Sequence, residues 1–106
     1  MKKIYRNFKR LYRISFSKRN YQDPQYKEWR RKVYLRDHHK CQWPGCNYKF
    51  KLNAHHIRKW ADFPSLRFDP LNGITLCAKH HKMVKGNEDS YVILFTRILQ
   101  NMKDYN

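Results

Sequence analysis

Two short cysteine and histidine pairs bracket the middle of this chain. Cys41 and Cys46 have four residues between them, and Cys77 is followed by His80 and His81 in "LCAKHHK". Each pair is spaced so that both side chains can reach one ion, and tetrahedral zinc takes four such ligands. The knuckle turn "CQWPGC" supports the first pair, because Gly45 permits a sharp bend. The 30 residues between Cys46 and Cys77 exceed the usual zinc-ribbon gap, so something must be built inside the clamp. On a helix starting near Cys77, positions i+3 and i+4 share a face. Spacing alone therefore lets either His80 or His81 complete the set.

Three cysteines, with a tight pair among them, do not suggest a secreted disulfide framework. Metal ligation in a reducing, intracellular compartment fits better. The charge balance points to the partner. The 106 residues carry 24 Lys and Arg against 8 Asp and Glu, a net charge of +16. Such a surplus repels itself unless a polyanion neutralises it. No apolar run reaches the length of a membrane span, and the N-terminus lacks the apolar segment of a secretory signal. The natural partners are nucleic acid or an acidic membrane surface; of these, nucleic acid is the reading adopted, with no membrane partner. Aromatic residues make up 16% of the chain, enough to add stacking to charge.

Residues 1–22 form a basic arm with eight Lys or Arg and no acid. Ile4, Phe8 and Leu11 fall there at helical spacing. The remainder, 23–106, reads as one small α+β domain. Asp23 and Pro24 give a helix a capped start, and Tyr26, Trp29 and Val33 recur on one face. That helix should stop near 37–39. A strand is predicted over 52–58, then an aromatic loop broken by Pro64 and Pro70, then a second strand over 72–77. A helix follows over about 77–85, with Gly86 as its stop. The last helix starts near Glu88, and Tyr91, Leu94, Phe95, Ile98, Leu99 and Met102 form its apolar stripe.

All six histidines occur as doublets, at 38–39, 55–56 and 80–81. The first doublet reads as surface turn. The other two flank the "NG" turn at 72–73 inside the clamped segment. Here "LNAHHIRKW" followed by "FDPLNGITLCAKHHKMVKGNE" resembles the HNH endonuclease family, specifically its cysteine-knuckled phage and bacterial members, over about residues 26–100. The resemblance implies a ββα-metal core braced by structural zinc and flanked by N- and C-terminal helices. It implies that His56 is the general base and that His55 and His81 hold a catalytic divalent ion. It implies that Asn72 holds the loop that orients His56. The family's fourth zinc ligand is a cysteine just before the last histidine; here that position is His80, giving Cys41, Cys46, Cys77 and His80. Some relatives add a histidine one helical turn later; here that position is Lys85, so no third protein ligand is expected there.

The implied activity is metal-dependent hydrolysis of DNA phosphodiester bonds, by nicking or double-strand cleavage. Imidazole ligands suit manganese or nickel, while Mg2+ prefers oxygen. Arg58, Lys59, Arg67, Lys79, Lys82 and Lys85 flank the proposed site as candidate DNA contacts, with Arg30, Arg31 and Arg36 extending the footprint. Trp60, Phe63 and Phe68 either wedge into a groove or cap a small core. Nothing resembles a base-reading module, so sequence specificity should be low. Relatives beside phage packaging genes suggest terminase or other packaging proteins as partners. The competing reading is a zinc-stabilised nucleic-acid-binding module without catalysis. A weaker one, from the basic aromatic arm, is a membrane-surface protein.

Overall fold

The computed structural model describes residues 19–105, so the helical spacing of Ile4, Phe8 and Leu11 lies outside the described residues. The first helix, α1, spans Pro24–Arg36. Asp23 caps it, its carboxylate accepting from the Gln25 amide at 2.8 Å, and proline occupies the first turn where its missing N–H costs nothing. Beyond Arg36 the chain leaves the helix through His38 and His39, both exposed and both at positive φ. The knuckle then turns through Gly45, whose φ of 81° is open to glycine at little cost.

Two strands follow, β1 over Leu52–His56 and β2 over Gly73–Cys77. They pair antiparallel with His55 opposite Ile74 and His56 opposite Gly73. Helix α2 covers Ala78–Val84 and α3 covers Glu88–Tyr105, with Gly86 at φ 89° between them. The architecture is a small α+β unit: a two-stranded antiparallel sheet and three helices among the described residues.

The sheet separates two apolar clusters. On one face, Ile74, Leu76 and Val84 bury against Phe95 of the last helix, with Tyr91, Leu94, Ile98 and Leu99 packed around them. The predicted stripe of α3 is therefore core. On the other face, Tyr26, Trp29 and Val33 of α1 cover Ala54. Trp60 and Phe68 pack onto this second cluster, so they serve as its cap. Strand side chains alternate between faces. His55 consequently lies with Phe95, and His56 lies with Trp29.

A buried polar clasp ties α1 to the sheet. Asp37 is fully buried; its carboxylate accepts from the Thr75 amide at 2.8 Å and pairs with Arg36 at 2.8 Å. The Arg36 guanidinium also donates to the carbonyls of Pro70 and Gly73. Arg36, grouped by sequence with the DNA-facing cations, is instead a structural tie. Arg31 stays exposed and pairs with Glu28, while Arg30 lies over the Tyr26 ring.

No helix among the described residues is long and apolar enough to cross a membrane.

Candidate functional site

The knuckle brings Cys41 and Cys46 to the start of α2, where Cys77 and His80 wait. The ligand atoms of these four residues lie within 4.8 Å of one another. Cys46 Sγ is 4.0 Å from Cys77 Sγ, and His80 Nδ1 is 3.5 Å from Cys41 Sγ and 3.3 Å from Cys77 Sγ. A zinc tetrahedron has sulfur–sulfur edges of about 3.8 Å and sulfur–nitrogen edges of about 3.5 Å, from its bond lengths. The four residues thus lie close enough to hold a metal, with distances consistent with zinc. Their chemistry fits as well. Burial pushes the Cys41 thiol up to about 11. Burial also raises the Cys77 thiol, but the His80 and Lys79 amides at the start of α2, together with hydrogen bonds from the Cys41 and Cys46 thiols, hold it below its usual range. Crowded buried thiols of this kind ionise together only around a cation. Trp43 stacks on His80 at 4.8 Å and 5°, fixing the ring plane.

The ambiguity of the third doublet, His80–His81, is resolved by helix geometry. Consecutive residues on a helix are rotated by about 100°. His80 turns inward to the thiols, and His81 turns toward β1, where its ring centroid is 5.6 Å from that of His55.

His81 and His55 line a cleft of about 530 Å³ together with His56, Lys59, Lys85 and Glu88. Arg19 and Tyr21, which the sequence assigned to the arm, line it too. His55 is 4% exposed, and its Nε2 has no hydrogen-bond partner. Burial lowers its pKa to about 4, and His81 pushes the same way. His56 is equally buried. Its Nε2 lies 2.9 Å from the Arg67 carbonyl, which can only accept, so Nε2 carries the proton. Nδ1 is then the free acceptor, and it has no partner. The ring stacks on Trp29 at 3.9 Å and 10°, with Trp60 edge-on at 5.4 Å. Burial lowers the His56 pKa to about 4, and the Arg67 carbonyl opposes this.

Asn72 ties two loops together. Its Oδ1 accepts from the Arg58 amide, and its Nδ2 donates to the carbonyls of Arg58 and Leu66. Three bonds from one buried amide hold the loop that follows His56 against the loop that precedes β2.

The basic residues separate into groups. Lys59 and Lys85 line the cleft, and Lys59 also approaches Asp89 at 3.4 Å. Arg58 is exposed over the Phe63 ring, and Lys82 is exposed. Lys79 borders a second concavity beside the knuckle, with Tyr48 and Lys51. Arg67 departs from the surface role expected of it. It is 9% exposed, its Nε donates to the Trp60 carbonyl at 2.7 Å, and its guanidinium lies 4.5 Å from the Trp60 ring centre. It holds the loop from inside.

Sequence reasoning missed four contributors: the Trp29 platform under His56, the Arg67 carbonyl, Arg19 at the cleft and Glu88 at its edge. Only Glu88 had a local signal, being an acid one turn past a histidine helix in a chain poor in acids. No protein-family model, curated protein or solved structure matches the chain.

Proposed function

We propose that this protein is a metal-dependent endonuclease of the HNH type, with β1, β2 and α2 forming a ββα-metal core beside the cysteine centre. The observation that carries the reading is the state of His56. Its ring is clamped by Trp29, its Nε2 proton is committed to a carbonyl, and its buried Nδ1 is left without a partner in a residue that lines a basic cleft. A general base needs a fixed direction, a known tautomer and an unpaired acceptor, to which the attacking water must be admitted as substrate binds.

His55 and His81 fit a divalent ion, because a buried imidazole nitrogen without a partner is costly unless something binds it. When bound there, such an ion supplies charge neutralisation at the scissile phosphate and the leaving oxygen. His56 Nδ1 takes the proton of the attacking water. Burial keeps that imidazole neutral at neutral pH, and the negative charge of an arriving phosphodiester raises its basicity again. The Arg67 carbonyl, bonded to Nε2, supports the imidazolium as it forms. Lys59, Lys85 and Arg19 hold backbone phosphates, and Asn72 keeps the loop from drifting. Two imidazoles suit manganese or nickel as well as magnesium. DNA is the proposed substrate, cut with low sequence specificity.

The test is cleavage of supercoiled plasmid with Mn2+ or Mg2+. His56→Ala should abolish nicking while DNA binding survives; His56→Asn, which disturbs the Trp29 stack less, should do the same. Full activity in either folded variant would sink the assignment. If the wild-type protein binds DNA but nicks with neither ion, the charge surplus alone favours the zinc-stabilised binding module.

A further inference from the structure

The cleft contains a residue that a DNA-binding surface should avoid. Among the described residues Glu88 is the one acid lining it, in a chain where cations outnumber acids 24 to 8. The Gly86–Asn87 turn delivers it there as the first residue of α3, and its Oε1 accepts from the Gly86 amide at 3.0 Å. Among the described residues, no Lys or Arg forms an ion pair with it; the nearby cation Lys59 approaches Asp89 instead. A glutamate carboxyl is an anion at neutral pH. An anion in a phosphate cleft repels substrate unless a cation stands between them.

A second observation names the place for that cation. His55 is 4% exposed and lines the same cleft, and its Nε2 has no partner. His81 stands beside it at 5.6 Å between ring centroids. We propose that Glu88 is the third protein ligand of a divalent ion held by His55 and His81. The inference rests on the reading of those two histidines as an ion site and deepens it. The carboxylate lies outside the tight convergence seen at the cysteines and must swing inward. The flexible Glu stem allows this, with release of the Oε1 bond to the Gly86 amide. Two imidazoles and one carboxylate would leave three positions of an octahedral ion for water and phosphate oxygens. The added oxygen ligand shifts preference toward Mn2+ and Mg2+ and away from softer ions.

Mn2+ titration of the zinc-loaded protein, followed by calorimetry or by the electron paramagnetic resonance of free Mn2+, tests this without any cleavage assay. Glu88→Gln keeps an acceptor for the Gly86 amide but removes the charge. It should weaken Mn2+ binding at least about tenfold, the scale seen when a metal's supporting groups are removed. Its melting temperature without Mn2+ should stay near wild type. His81→Ala is the reference. If His81→Ala loses Mn2+ and Glu88→Gln does not, the Glu88 proposal is overturned and the histidine site stands. If neither variant changes Mn2+ binding, both readings fall. A lower melting temperature with unchanged Mn2+ affinity also overturns the proposal, assigning Glu88 to the start of α3.

Discussion

At the scale of single residues, the His56 ring depends on a neighbour that has no side chain. Gly73 faces His56 across the ladder, and a Cβ there would come within 2.5 Å of Val33 and 2.7 Å of Trp29. The missing methyl lets α1 settle close enough for Trp29 to stack on the imidazole. Gly73→Ala should therefore cost about 1–3 kcal/mol, the usual penalty for overpacking a filled core. Urea unfolding would check it; an unchanged midpoint would show that α1 can retreat freely. The substitution should also cut nicking, because Trp29 would be pushed off the ring.

At the scale of elements, one helix serves two centres. The first turn of α2 sends His80 to the thiols and His81 to the cleft. Removing each tests the division. His80→Ala should release zinc and unfold much of the domain, seen as loss of bound zinc and of the thermal transition. His81→Ala should keep zinc and fold while losing cleavage and Mn2+ binding. The opposite pattern would exchange their roles. These assignments also mark how far the sequence could be read. Element order was legible because capping, Pro, Gly and apolar period are local signals: α1 starts at the Asp23–Pro24 cap, and the α3 stripe buries Phe95. Strand β1 ends at His56, two residues earlier than predicted, because Asn72 captures the Arg58 amide with its side chain. The cysteine spacing was legible for the same local reason. Arg36 and Asp37 were not, because their partners lie far along the chain: Thr75 for Asp37, Gly73 for Arg36. Arg67 was not either, because its partner is the Trp60 carbonyl, a backbone group that no residue type announces. A basic residue looks the same in sequence whether it meets phosphate or a buried carbonyl.

At the scale of the whole molecule, proton linkage sets a stability window. His55 and His56 have pKa values near 4 when folded, against an ordinary 6.5. Between those values the unfolded chain binds more protons than the folded one, so stability rises with pH. It should be full above about pH 6.5 and fall as pH drops toward about 4. Thermal melts across this range, with zinc content followed in parallel, would check it. Stability that stays flat while zinc is retained would show that these rings accept protons in place. The cysteine centre, when zinc is lost to acid, acts in the same direction.

The ladder has one further consequence. Its side chains alternate, so His55 and His56 differ in role only through which face each one meets. Cys77, tied into the thiol cluster, pins one end of the pairing opposite Leu52, and Asn72 pins the other. A slip of one residue would not blur the cleft; it would transpose the doublet, sending His56 toward Phe95 and His55 under Trp29. A protein misregistered in this way would keep its helices and lose the arrangement of its cleft. Errors in this segment are thus all-or-none, and the two pins act as a proofreading frame for the reading of a five-residue strand.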